Sequence, residues 1–147
     1  MRNIKSKKGK IAIGALVVGF LIIINTILVQ KTTYITLLED QFCVALCEAS
    51  DRFTEYEISG DNRDFLMGIA GLGICVQLAP QFNINTCVHK NHIDLNKLYA
   101  GLYNVPCDDY QYLCPKLIMM CDKLQNNPYD ITGYAIVTEL VNLIYKR

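Results

Sequence analysis

The N-terminal 31 residues constrain this chain more than any other part. A run of 19 residues from Ile11 to Val29 carries no charge, and only Asn25 and Thr26 in it are polar. An α-helix of that length is about 28 Å long, close to the ~30 Å hydrocarbon core of a bilayer. The run therefore predicts a transmembrane helix over residues 11–30, and the lipid bilayer is the first partner that we expect.

The residues around the run predict an uncleaved signal-anchor. The apolar stretch is longer than the ~7–15 residues of a signal-peptide core, and the following residues 25–31 are large or polar, without a small-x-small cleavage site. The positive-inside rule assigns the basic tail, residues 1–10, to the cytosolic or matrix side of the membrane. Residues 31–147 then form an exoplasmic or intermembrane domain. Cleavage of the anchor would instead make the chain a secreted binding domain.

The net charge of zero conceals an asymmetry between the two parts of the chain. Residues 1–31 contain six of the Lys and Arg residues and no acid, whereas residues 32–147 contain eight Lys or Arg against fourteen Asp or Glu, a net charge of −6. Nucleic-acid binding needs a cationic surface. The acidic domain therefore indicates that nucleic acid is not a partner.

All seven cysteines follow the anchor, in a compartment where the predicted topology favours disulfides. Cys75 lies in the most apolar stretch of the domain, and we expect it to be a free thiol. The disulfide candidates are the other six: Cys43, Cys47, Cys87, Cys107, Cys114 and Cys121.

Six cysteines allow 15 connectivities, which the sequence leaves open. Cys43 and Cys47 are four residues apart and Cys114 and Cys121 seven apart, so each pair shares one helix face. Two antiparallel helices joined as Cys43–Cys121 and Cys47–Cys114 are one geometry that this spacing favours, with Cys87–Cys107 as the third bridge.

Apolar periodicity and turn residues predict an all-α fold: one N-terminal transmembrane helix followed by a small disulfide-stapled domain of four or five helices. The first domain helix continues from the anchor over residues 32–56, and a turn follows at residues 59–62. A second helix over residues 65–78, buried nearly all round, ends before Pro80. Residues 81–94 form a polar loop. The other predicted elements are a short helix capped by Asp94 or Asn96, a turn at 106–109, a helix opened by Pro115, and a last helix capped by Asp130 or Thr132.

The loop holds the sharpest chemical pattern, because Cys87, His89 and His92 lie within six residues of one another. Thiolate and imidazole are good ligands for zinc or copper, and Asp94 or a further cysteine could complete such a site. The alternative is an exposed polar loop with one disulfide cysteine and no cofactor.

No coherent catalytic constellation accompanies these features. The three serines, Ser6, Ser50 and Ser59, lie in no nucleophile elbow, and no glycine-rich loop follows a strand. We therefore expect a non-catalytic, single-pass membrane protein acting as an interaction or accessory subunit, with other membrane-protein subunits as partners. A metal-handling or redox accessory protein using Cys87, His89 and His92 is the main alternative.

Overall fold

A computed structural model describes the backbone of residues 2–82 and 89–146, and the side chains of residues 16–81 and 93–146. The chain is 91% helical, with no strand in the described residues, and it has five α-helices, which confirms the predicted all-α class. The elements are α1 (Arg2–Ser59), α2 (Asn62–Phe82), α3 (His89–Leu102), a 3₁₀ turn (Cys107–Asp109), α4 (Tyr110–Asn126) and α5 (Ile131–Tyr145). Two compact units are present, Met1–Thr36 and Leu37–Arg147.

The N-terminal unit exposes nearly all of its described apolar side chains. From Leu16 to Val29 the large apolar residues are between 38% and 74% exposed. The hydroxyl of Thr26 donates to the carbonyl of Ile22 at 2.9 Å, and that of Thr33 donates to the carbonyl of Val29 at 3.0 Å. This helix is long and apolar enough to cross a membrane. The two threonine hydroxyls are bonded within the helix, as a lipid environment requires.

In the second unit, α1 and α2 pack antiparallel at very close range. A Cβ added at Gly68 would lie 2.5 Å from the ring of Phe53, and one added at Gly71 would lie 3.1 Å from the Cβ of Ala49. Residue numbers rise along α2 as they fall along α1, so the two helices run in opposite directions. Small side chains at the crossing permit this approach.

The helix α4 covers a further face of α1. The hydroxyl of Ser50 donates to Oδ1 of Asp122 at 2.8 Å, and the hydroxyl of Tyr129, just beyond α4, donates to the carboxylate of Glu39. The helix α3 packs against α2 and α5, and α5 packs against α4. The helices of this unit therefore follow one another around a shared core in the order α1, α2, α3, α5, α4.

An aromatic cluster joins three of the helices where α1 ends and α2 begins. The rings of Phe65 and Tyr110 are stacked, with centroids 3.8 Å apart and planes 13° apart. Tyr56 and Phe53 lie against Phe65 at centroid distances of 5.2 Å and 5.3 Å. Offset and edge contacts of this kind stabilise beyond the buried area alone, so the cluster fixes α1, α2 and α4 to one another.

Two predicted boundaries are confirmed by the backbone. Gly60 has φ +69° and its N–H donates to the carbonyl of Tyr56 at 2.8 Å, a left-handed conformation that ends α1 and that glycine adopts without strain. Asp130 caps α5, because its carboxylate accepts hydrogen bonds from the backbone N–H groups of Thr132 at 2.6 Å and Gly133 at 3.0 Å.

The two predictions based on proline were wrong. The helix α2 continues through Pro80 to Phe82, and α4 begins at Tyr110, five residues before Pro115. Proline removes one backbone donor and crowds the carbonyl four residues earlier, a cost that is smallest in the first turn of a helix. Pro80 and Pro115 lie outside that turn, so the packing of α2 and α4 against their neighbours offsets the local cost. Pro80 lies in the last turn of α2, where the Gln81 side chain donates to a main-chain carbonyl at 3.1 Å.

The predicted loop over residues 81–94 was wrong in its second half, since α3 begins at His89. Asp94 and Asn96 therefore lie inside α3 and do not cap it. The carboxylate of Asp94 instead accepts a hydrogen bond from the hydroxyl of Thr138 on α5 at 3.2 Å, which ties the two helices together. Residues 83–88 lie outside the described part of the chain.

Candidate functional site

The helix α2 is buried on one side only, so the prediction that it is buried nearly all round was wrong. The side chains that reach 0% exposure lie on one face: Phe65, Ile69, Leu72, Cys75 and Ala79. The opposite face keeps Met67 and Ile74 exposed at 42% and 47%. Contacts with α1 and α3 cover only part of this helix, and the exposed part includes these large apolar side chains.

This open face forms one wall of a groove against α1. Two hollows of about 360 and 510 Å³ adjoin there, and they share Glu48 and Ile74. We call the combined feature the α1–α2 groove. Its lining on α1 is Asp40, Gln41, Val44, Ala45, Glu48, Asp51, Arg52 and Glu55, and its lining on α2 is Met67, Ala70, Gly71, Ile74 and Leu78.

The floor of the groove is apolar, and its large apolar side chains are Val44 on α1 and Met67, Ile74 and Leu78 on α2. Ala45, Ala70 and Gly71 contribute only small groups, and Val44 and Ile74 stand above them with exposures of 58% and 47%. From Asp40 to Glu55 the α1 side extends over 15 residue steps, or about 22 Å of helix.

Carboxylates line the α1 side of the groove. Asp40, Glu48, Asp51 and Glu55 carry four negative charges against the one positive charge of Arg52. Arg52 Nη1 pairs with the Glu55 carboxylate and lies 3.8 Å from Oδ1 of Asp64, outside the groove. The field over the groove is therefore negative, and its only cation is engaged by acids of this chain.

A separate hollow lies at the C-terminal ends of α3 and α5. This terminal pocket has a volume of about 320 Å³, and its lining is Gly101, Asn104, Val105, Pro106, Asp109, Leu113, Leu143, Ile144 and Tyr145. It is mainly apolar and fits a small nonpolar group. Asp109 and Tyr145 are the titratable residues of its lining, and among the described side chains no group of His, Cys, Asp or Glu is placed to hold a metal there.

The predicted metal ligands fall where the structure gives no side chains. Cys87 lies outside the described residues, and only the backbone of His89 and His92, at the start of α3, is described. Asp94, the suggested fourth ligand, bonds to Thr138 and lies 3.6 Å from Nζ of Lys97. Among described side chains no group of three or more His, Cys, Asp or Glu is placed to hold a metal. Zinc or copper binding by the loop stays a prediction, which elemental analysis of the purified protein tests.

The six described cysteines are free thiols, and no disulfide joins them. Cys47 and Cys107 are exposed, Cys43 is half-buried, and the buried thiols are Cys75, Cys114 and Cys121. In the described part of the chain the helices pack against one another without a disulfide between them. Whether bridges form in an oxidising compartment stays a prediction.

The suggested helix register for the bridges also differs from the observed one. The thiol of Cys114 donates to the carbonyl of Phe53 at 3.0 Å, and Phe53 lies about 9 Å farther along α1 than Cys47. The thiol of Cys75, the predicted free cysteine, donates to the carbonyl of Phe42 at 3.8 Å. Burial raises the pKa of both Cys75 and Cys114 to about 12, so these thiols stay protonated and unreactive at neutral pH.

Comparisons of the chain with protein-family models, with characterised proteins and with solved structures give no match. Function is therefore inferred from the exposed apolar segment of α1 and from the α1–α2 groove. The groove was absent from the sequence-based predictions, although Val44 between Asp40 and Glu48 on one helix face was a signal for it.

Proposed function

We propose that this protein is a non-catalytic, single-pass membrane protein whose helical domain acts as an interaction or accessory subunit of a larger membrane complex. The observation that carries the proposal is the apolar segment from Leu16 to Val29, exposed throughout in a helix of membrane-spanning length. Each large apolar side chain costs about 1.5–3 kcal/mol when it stays in water. A bilayer removes that cost for the whole segment.

A single span is favoured over two, although α2 is also long and apolar enough to cross a membrane. Its fully buried face, which includes Phe65 and Leu72, packs inside the helical domain, and its residues meet α1 and α3 directly. Insertion of α2 into lipid would require these contacts to break. We therefore interpret α2 as a core helix of the domain.

The topology in this proposal follows from charge. The basic residues of the tail, residues 1–10, stay on the cytosolic or matrix side. The acidic domain, residues 31–147, then faces the exoplasmic or intermembrane space. Disulfides among its cysteines, if they form, would belong to that compartment.

The accessory role is supported by the surface of the domain. Monomeric soluble proteins rarely keep large contiguous apolar patches exposed, and such patches rimmed by polar residues usually mark interaction sites. The α1–α2 groove is a smaller feature of this kind, in which Val44 and Ile74 are exposed between carboxylates.

Two steps test the proposal on the full chain in its native membranes. Alkaline carbonate should leave the protein in the membrane pellet, because a transmembrane helix resists extraction. Mild detergent followed by native sizing should then give an assembly much larger than one 16.6 kDa chain in its micelle, with companions that mass spectrometry identifies.

The results that would refute the proposal are equally definite. Release by carbonate would exclude the transmembrane helix, and a lone monomer would exclude the accessory role. Intact mass spectrometry of the N-terminus separates an uncleaved anchor from the secreted alternative. Protease protection of a C-terminal epitope tag in sealed vesicles tests the orientation.

A further inference from the structure

We propose that the α1–α2 groove is the docking site for one amphipathic helix with basic flanks, supplied by another subunit of the complex. The inference rests on the proposed function and adds the surface and the chemistry of the partner to it. Its three supports are the length of the groove, the size of the side chains that line it, and its charge.

The dimensions of the groove match a short helix. A length of about 22 Å accommodates roughly 15 residues, or four turns. Helices that dock in grooves present anchors at positions i, i+3 or i+4, and i+7. Ile74 and Met67 lie seven residues apart on the α2 wall, and Val44 on the α1 wall lies across from Ile74, so the groove can receive two such anchors two turns apart.

The floor of the groove permits close approach. Ala45, Ala70 and Gly71 leave room between the two walls, and helices pack with axes 8–10 Å apart only where side chains at the contact are small enough. An extended peptide would leave its main-chain N–H and C=O groups unpaired here, because α1 and α2 already use theirs within each helix. A helix satisfies those groups itself.

Charge decides the composition of the partner. The four carboxylates favour Lys and Arg, whose apolar stems can lie along Val44 and Ile74 while their charges reach the acids. A second copy docking by the same groove would place carboxylates against carboxylates. Anionic lipid headgroups would meet the same repulsion.

Photo-crosslinking in the full chain, expressed in its native membranes, tests the site. A benzophenone amino acid replaces Val44 in one variant and Met119 in the control. Met119 is 51% exposed, on α4, and outside the groove. We expect a discrete adduct only at position 44, with a partner peptide that has apolar residues at helical spacing and a net positive charge.

A charge-reversal pair tests the electrostatic part. E48K combined with D51K inverts two groove charges, and E57K inverts an exposed charge on the same helix outside the groove. We expect the yield of the position-44 adduct to fall by about tenfold or more with the double variant and by less than about twofold with E57K. For the variant with benzophenone at position 44 and no charge substitution, raising the salt concentration should also lower the yield of the adduct. This measurement does not depend on the folding of any charge variant.

The outcomes separate the two proposals. A position-44 adduct with an acidic or non-helical segment, with a second copy of the chain or with lipid would overturn the docking inference. So would a large assembly on native sizing that gives no adduct at position 44, although the accessory role would then stand. A monomeric protein would overturn both.

Discussion

Gly68 is the position where one added methyl group most directly tests how α1 packs against α2. The substitution is Gly68→Ala. The new Cβ would lie 2.5, 2.7 and 2.8 Å from three ring carbons of Phe53, where ordinary contacts between carbon atoms are about 3.5–4.0 Å. The ring would have to move by roughly 1 Å. Phe53 is fully buried, and its ring centroid lies 5.3 Å from that of Phe65. The ring therefore has little room to move.

The expected cost follows from two opposing effects. Overpacking of a tight core costs about 1–3 kcal/mol, and replacing a glycine by alanine inside a helix returns up to about 1 kcal/mol. The buried and blocked ring favours the upper part of the first range. We expect a net loss of about 1–2 kcal/mol, which lowers Tm by roughly 4–8 °C in a domain of this size.

Gly73→Ala is the matched control on the same helix. Its Cβ would lie 2.9–3.0 Å from the outer atoms of Tyr99, a half-exposed side chain that can swing aside. The gain in helix propensity should then balance the contact, and we expect Tm to stay within about 2 °C or to rise.

Circular dichroism at 222 nm during heating of the full chain in neutral detergent measures both variants. In a double-mutant cycle, Gly68→Ala should cost less in the Phe53→Leu background than in the unsubstituted chain, because the smaller side chain removes the clash. If Gly68→Ala raised Tm as Gly73→Ala does, α1 and α2 would not be in the contact described, and the α1–α2 groove would lose its geometry.

Three further predictions concern thiols and caps. A maleimide reagent should label Cys47 and Cys107 rapidly in the native protein and Cys75 and Cys114 only after denaturation; equal rates would contradict the burial. The domain should lose stability as pH rises from about 9 towards 12, because the pKa of the buried thiols is raised from 9.0 to about 12 and the unfolded chain ionises first. Cys75→Ala should flatten the slope of Tm against pH in that window, and an unchanged slope would assign the loss to other groups. Asp130→Ala should lower Tm by a few degrees and Asp130→Asn by less, since asparagine also caps; equal losses would show that the cap does not act through its side-chain oxygen.

The elements that the sequence predicted well are those with a local cause. A left-handed glycine at position 60 and a carboxylate at position 130 act on backbone groups within four residues. The exposed apolar run is also local, since its length and lack of charge are visible in the sequence. Pro80 and Pro115 misled the prediction because the packing of α2 and α4 into the core outweighs the local cost of a proline inside a helix.

The candidate site depends on packing, which the sequence alone did not reveal. An apolar helix such as α2 has the same periodicity whether three neighbours or two cover it. Met67 and Ile74 are exposed because the described contacts of α2 leave that face open. The register of Cys114 against Phe53 likewise follows from the tertiary arrangement of α1 and α4, so spacing along each helix did not fix which residues meet.

The position of α1 in the helix order has a consequence for biosynthesis. The helix α1 precedes α4 in the chain, and one of its contacts joins Glu39 to Tyr129, 90 residues later. Loop closure over such separations comes late in folding. The apolar face of α1 that carries Phe42 and Leu46, fully buried in the finished domain, therefore gains its contacts with α2 early and its contacts with α4 only after most of the domain has been made. Until α4 is made, part of this face stays exposed, and exposed apolar surface of this kind is what chaperones protect during folding.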